Sequence, residues 1–215
     1  MSLGKNILKK KNLLDGLRLR EKNHNLGSML SFKCQIMKYV EEINNFLEYD
    51  HFNELKFWAE KTPWFFQQSQ AYKIENETRE KQNDIYNSHF ALTIFKNYGE
   101  ESVNIINEFP IFGYLEEKVR NYLKTDKKLY RIISNLFLPH PEHQISSWHI
   151  DTNEGITAIF YLNKNDGFTE ATHNGKNYKI TSESNKLAVF NSSIQHRVVK
   201  QTDTKYRITI VLNYV

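Results

Sequence analysis

The sequence predicts a mainly β domain with helical support (α+β): a double-stranded β-helix, or jelly roll, behind an N-terminal helical layer. Three observations carry this. The chain has 215 residues, enough for one core of ordinary size. Its texture changes near residue 125, from helix-period apolar patterns to short alternating segments separated by turn residues. Those segments number eight, the strand complement of two packed sheets.

Residues 1–30 read as a basic, flexible or loosely docked arm, because MSLGKNILKKKNLLDGLRLREK has no apolar run long enough for a secretory signal. Residues 31–215 then form a single domain: 31–125 as helical support with flanking strands, and 126–215 as the jelly-roll core. KYVEEINNFL and SHFALTIF read as strands joining the main sheet. Asp50 is placed to cap a helix through HFNELKFWAEK, with Phe52, Leu55, Trp58 and Ala59 on one side. EESVNIINEF and YLEEKVRNYLK read as two more helices, interrupted by Pro110. In the second, Leu115, Val119, Tyr122 and Leu123 make the apolar stripe, and Trp58 and PWFF (63–66) are expected in this layer's core.

The strand candidates follow: LYRIISNLFL, QISSWHI, TAIFYLN, FTEAT, NYKI, LAVFN, HRVVK and YRITIVLNY. Asn174-Gly175, between FTEAT and NYKI, is the best hairpin signal in the chain. NKND, SESN and QTDT supply further turns.

Composition bounds the function. The formal net charge of +4 permits a nucleic-acid partner without arguing for one. Cys34 is the only cysteine, so no internal disulfide forms and a reducing, cytoplasmic setting is expected. No run approaches the roughly 20 apolar residues of a membrane span. Oligomeric state is left open.

The chemistry concentrates in the strand region. In SSWHID, His149 and Asp151 project to one side of a strand, while Ile150 and Trp148 point to the other. His196 opens HRVVK, far enough downstream for the intervening strands of a jelly roll. Two imidazoles and one carboxylate on one face leave several positions of a metal open, which suits ferrous iron; zinc usually keeps only one. Arg207 begins an otherwise apolar strand, where alternation puts Arg207, Thr209 and Val211 on one face and Ile208, Ile210 and Leu212 on the other. A guanidinium pointing into a barrel needs an anionic partner, and a carboxylate gripped in bidentate fashion, with Thr209 as second donor, supplies one.

His149-x-Asp151, then His196, then Arg207 in a basic–aliphatic last strand resembles the iron(II)- and 2-oxoglutarate-dependent dioxygenases. TAIFYLNKND looks like the strand and turn of the prolyl-hydroxylase-like branch, in which the tyrosine of Y-L-N helps bind 2-oxoglutarate; here that residue is Tyr161, on one face with Thr157 and Ile159. The resemblance covers residues 128–215 well and KYVEEINNFLEYDHFNEL weakly. It departs at DGFTEAT, where the branch has a glycine pair, and at Leu138-Pro139, where it has tyrosine–proline. The lost tyrosine contact is either missing or supplied by Asn135. The resemblance implies iron held by His149, Asp151 and His196, and 2-oxoglutarate and dioxygen as cosubstrates. Arg207 would hold the distal carboxylate, and a C–H bond of a protein or peptide side chain, an amino acid or another small molecule would be hydroxylated, with release of succinate and carbon dioxide.

Bland readings stand beside these. His196 read alone is a surface histidine, Arg207 an outward partner of Asp203 or Glu170, and Tyr161 plain core. His140, His143 and His173 read as loop histidines rather than a second metal site. Two other functions remain open: a non-catalytic jelly-roll metal-binding or structural module, and a nucleic-acid alkyl demethylase. The second is disfavoured because Asn213 stands where the alkyl-repair enzymes carry a second arginine.

Overall fold

The computed structural model describes residues 40–67, 88–98 and 102–215, all within the unit Tyr39–Val215. The expected basic arm and the start of the domain at residue 31 lie outside the described residues. The elements run β1 (Glu41–Asn44), α1 (Tyr49–Lys61), β2 (Phe65–Gln67), β3 (His89–Lys96), β4 (Val103–Asn104), α2 (Pro110–Leu123), β5 (Leu129–Phe137), β6 (Ile156–Tyr161), β7 (Phe168–His173), β8 (Lys176–Thr181), β9 (Lys186–Asn191), β10 (Gln195–Val199) and β11 (Arg207–Tyr214).

Two antiparallel sheets form the jelly roll. The major sheet has the order β1-β9-β6-β11-β5-β3-β2, with β4 also paired to β3; the minor sheet has the order β10-β7-β8. Of the eight expected strands, seven are regular. The eighth, QISSWHI, is held to β10 only by isolated bridges, Ile145 to Val199 and His149 to His196. The Ser146 side chain intervenes there, accepting the Val198 amide, so the ladder does not close into a continuous strand.

Period-2 patterning sorts the two faces of the major sheet. Phe160, Ile208, Ile210 and Leu212 are buried on one face, which takes the helical layer: Phe46 and Phe52 set their rings against Phe160. Tyr214 carries Arg120 over its ring. On the other face Ile159, Tyr161, Ala188 and Phe190 pack against Ala171 and Ile180 of the minor sheet, which closes the sandwich at that end. The Asn174-Gly175 turn forms as expected: both residues have positive φ (51° and 72°) and join His173 to the opposed Lys176. Gly155, before β6, lies so close to the Tyr214 carbonyl that a Cβ would fall 2.1 Å from it.

The helical layer departs from several expectations. Asp50 is not a cap; α1 begins at Tyr49 after Glu48, and Asp50 sits in its first turn. EESVNIINEF is not helical where described. It gives β4 and a turn in which the Asn104 side chain accepts the Ile106 amide, the local competition that favours turns over helix. Pro110 starts α2 rather than interrupting one, since its missing N–H costs nothing at the first helical position. Leu115 and Val119 are buried, whereas Tyr122 reaches the surface and hydrogen-bonds Glu41. PWFF is not core: Phe65 and Phe66 lie on the edge strand β2 and are exposed.

Candidate metal centre

His149 and His196 sit opposite one another across an antiparallel bridge and exchange both backbone hydrogen bonds, at 3.0 and 2.9 Å. Such a pair puts its side chains on one face as close neighbours, and the ring centroids are 4.3 Å apart. Each Nδ1 faces a carbonyl two residues upstream, Ser147 for His149 (3.3 Å) and Ile194 for His196 (3.0 Å). A proton given to that carbonyl fixes the tautomer and leaves each Nε2 lone pair free. Asp151 completes the group: its Oδ2 lies 3.8 Å from His196 Nε2. One donor atom from each of the three lies within 4.8 Å of the others, and no other such group of three occurs among the described residues.

The electrostatics suit a cation. Enclosure by the fold, helped by the neighbouring His196, pulls His149 down to about 4, so its imidazole is neutral at pH 7. Burial alone would raise the Asp151 carboxyl, but His196, Arg131 and His149 together hold it well below the carboxylate range. Asp151 is also clamped. Arg131 Nη2 donates to Oδ1 at 3.0 Å, while the Thr157 hydroxyl and Asn213 Nδ2 donate to Oδ2 at 2.7 and 2.9 Å. Asn213 is itself fixed by Arg131 Nε (2.9 Å) and donates to Thr157 (3.0 Å).

The centre opens into a cavity of about 460 Å³ between the sheets. Its wall on the major sheet is the alternate-residue face of β5 and β11: Arg131, Asn135 and Phe137, with Arg207, Thr209 and Val211. Arg207 is fully buried. Its Nη1 donates to the carbonyls of Phe168 (3.3 Å) and Val199 (3.2 Å), and Nη2 to the Thr169 hydroxyl (3.1 Å). Its guanidinium carbon lies 5.6 Å from each of the Phe137 and Tyr161 ring centroids. Among the described residues, Nε has no hydrogen-bond partner and no salt bridge reaches this arginine. Burial brings Arg207 down to about 10, so it is still a cation at neutral pH.

All three donor residues and Arg207 therefore share one cavity, with Thr209 beside them. Outward pairing of Arg207 is excluded: Glu170 pairs with Arg197, and Asp203 accepts the Asp166 amide. His196 is not a surface residue but 4% exposed. Tyr161 stands behind the cavity wall, donates to Thr169 at 2.8 Å and is pushed up to about 12 by burial. Trp148 packs under Arg197, whose guanidinium lies 4.2 Å from its ring centroid. His143 bonds the Lys200 carbonyl away from the donor group. Arg131, Thr157, Thr169 and Asn213 escaped the sequence reading as site residues. Strand alternation offered the signal for three of them: Arg131 has the parity of Asn135, Asn213 that of Arg207, and Thr157 that of Tyr161.

Fold and donor set together define a class: a jelly roll with two histidines and one aspartate at a cavity that ends in a buried arginine. No protein-family model matches the chain. Solved structures do. A Burkholderia pseudomallei oxidoreductase of the 2OG-Fe(II) oxygenase family superposes with a TM-score of 0.63 at 12% identity, over 86% of this chain and 90% of that one. A Trichoplax adhaerens prolyl hydroxylase in complex with a hypoxia inducible factor peptide fragment gives 0.57 at 18% identity, over 91% of each chain. An alpha ketoglutarate dependent epimerase from nogalamycin biosynthesis gives 0.57 at 8% identity, over 82% and 77%. The chain has the fold of the 2OG-Fe(II) oxygenases, the prolyl hydroxylases among them.

Proposed function

We propose that this chain is an iron(II)- and 2-oxoglutarate-dependent oxygenase of the prolyl-hydroxylase-like branch, which hydroxylates a C–H bond and releases succinate and carbon dioxide. Arg207 carries the proposal. A fully buried guanidinium with, among the described residues, an unpartnered Nε and no carboxylate opposite is costly unless a ligand supplies the anion. It shares a cavity with a set of donors that fits a ferrous ion needing open positions. A remnant, non-catalytic module has no physical reason to retain that cation.

His149, Asp151 and His196 would hold iron(II). Arg207, with Thr209, Thr169 and Asn135 along the wall, would hold 2-oxoglutarate, and Tyr161 would act from behind by fixing Thr169 and stacking on Arg207. When bound, the metal and cosubstrate supply the activation of dioxygen and the removal of hydrogen from the substrate. The chain's part is positioning. The carbonyls of Ser147 and Ile194 aim the two imidazoles, and the clamp of Arg131, Thr157 and Asn213 fixes the carboxylate. Ile133, Ile159 and Val211 add an apolar stretch to the major-sheet wall, beside the polar Gln67, His89 and Thr93.

One structural neighbour is solved with a peptide fragment and another with nogalamycin RO, so this fold admits peptides and small molecules alike. The proposed substrate is a small molecule or a protein side chain. A cytoplasmic setting accords with a single cysteine, and no described helix is long and apolar enough to cross a membrane.

The test is an anaerobic titration with iron(II) and 2-oxoglutarate, following the weak visible charge-transfer band. The band is expected in the wild type, absent in His149→Ala, and dependent on far more cosubstrate in Arg207→Ala. Its absence from the wild type would refute the assignment.

A further inference from the structure

We propose that Arg131 anchors a carboxylate of the substrate, so that the enzyme acts on an acid: a small carboxylic acid such as a free amino acid, or an acidic side chain or C-terminus of a peptide. This rests on the oxygenase reading above and adds the substrate's chemical class.

The guanidinium of Arg131 is only partly spent. Nη2 is given to Asp151 and Nε to Asn213, whereas Nη1 bonds nothing among the described residues. The side chain is 18% exposed and lines the cavity. A planar fork can hold Asp151 with one edge and a second carboxylate with another.

Its place matters as much as its donors. Register sets Arg131 opposite Asn213 and Arg207 opposite Phe137, at the two ends of the β5–β11 pair. At about 3.3 Å of rise per residue the two backbone positions are roughly 20 Å apart. The donor set lies between them. Asp151 touches Arg131, and along β10 His196 leads to Val199, whose carbonyl takes Arg207. A dicarboxylate reaching from the metal to Arg207 leaves Arg131 on the other side of the centre, for a different molecule.

Charge points the same way. Among the described residues, Asp151 is the one acidic side chain lining the cavity, against two guanidiniums. A divalent metal with a dianionic cosubstrate leaves that balance unchanged, with one positive charge over. An anionic substrate cancels it, whereas a neutral one would leave a cation desolvated in the closed site.

The experiment uses the full-length protein with iron(II) and saturating 2-oxoglutarate, without oxygen, and reads binding through perturbation of the visible band. The probes are matched pairs: each free amino acid with its carboxamide, and Asp- or Glu-containing tripeptides with their Asn, Gln and C-amidated counterparts. At least one acid should perturb the band at a concentration tenfold or more below its amide. Free amino acids responding identifies a small-molecule substrate; only tripeptides responding identifies a peptide. Arg131→Gln should abolish the acid preference. Arg131→Lys keeps a cation beside Asp151; read at the iron(II) and 2-oxoglutarate concentrations at which its own band forms, it should bind acids about tenfold more weakly than the wild type, because the planar fork is lost. If the Gln variant loses the band through Asp151, the Lys variant decides. A band-forming wild type that treats every acid and amide alike overturns the proposal, as does an acid preference that survives unchanged in the band-forming variants. Absence of the band in the wild type overturns the oxygenase reading instead.

Discussion

Replacing Arg207 by methionine should separate what this residue does for the fold from what it does for a ligand. Within the fold the guanidinium makes three charge-assisted bonds, to Phe168, Val199 and Thr169, each contributing about 1.5–3 kcal/mol. Against this stands the desolvation of a fully buried cation, several kcal/mol even after relaxation. Burial is the largest influence on the guanidinium and pulls it down to about 10 against the opposing effect of Tyr161, the direction in which folding disfavours the charged form. Methionine has similar reach and fills the slot between Phe137 and Tyr161 without charge. The unfolding midpoint of the ligand-free protein should therefore hold steady or rise. Cosubstrate binding should collapse. Truncating one partner of a buried, hydrogen-bonded charge pair costs about 2–5 kcal/mol, which is roughly 30- to 4,000-fold in the 2-oxoglutarate dissociation constant. Calorimetric titration of 2-oxoglutarate into the metal-loaded protein, beside thermal unfolding of the apo form, reads both. A variant that melts several degrees lower yet binds 2-oxoglutarate as the wild type does would show Arg207 to be a structural cation and refute the reasoning.

Other perturbations bear on different parts of the molecule. Asn213→Leu or Thr157→Val removes one donor from Asp151 and should weaken iron(II) binding about 10- to 100-fold, measured by competition with a metallochromic chelator; unchanged affinity would show that the clamp does not orient the carboxylate. Tyr161→Phe should cost about 1 kcal/mol at neutral pH through the lost bond to Thr169. Because the folded phenol is raised to about 12, its contribution is full below about pH 10 and is lost as pH rises through 12. Denaturant titrations should accordingly show the gap between wild type and variant shrinking over that window, and a constant gap would contradict it. Leu115→Ala empties a fully buried position of α2 and should destabilise by about 2–5 kcal/mol in urea unfolding, with the iron(II) affinity of the folded protein unchanged.

What was legible in the sequence was whatever strand alternation alone decides. Arg207 and Thr209 reach the cavity because residues two apart in a strand share a face, and no tertiary detail is needed to say so; His149 and Asp151 reach it as expected, but Ile150, expected on the other side, lines it too, because this stretch is bridged rather than a regular strand. The Asn174-Gly175 hairpin was legible for a similar reason, since its conformation is set by those two residues. The helical layer was read less well. EESVNIINEF has helix-compatible spacing, yet Val103 and Asn104 pair with the end of β3, a long-range competitor invisible in a local window. Phe65 and Phe66 are apolar enough for a core, but they fall on an edge strand, and neighbouring strands rather than composition decide that. Asn213 was read as the absence of an arginine. Its role appears only once β11 lies between β5 and β6, bringing Arg131 and Thr157 to its two sides.

That arrangement divides the work of the cavity between the sheets. The minor sheet and its bridged edge carry His149 and His196, whose orientation depends on their own backbone carbonyls. The major sheet carries the charges that decide which anions enter, Arg131 at one end of the β5–β11 pair and Arg207 at the other. Asp151 belongs to both, being next to the histidines yet held by major-sheet donors. Substitutions on β5 and β11 away from Arg131 and Asn213 can therefore alter what the cavity binds without moving the imidazoles. Those two residues stand apart from the rest of that wall, because a change at either reaches the metal donors through Asp151. This coupling is why the carboxylate-anchor test needs a variant that keeps a cation at position 131.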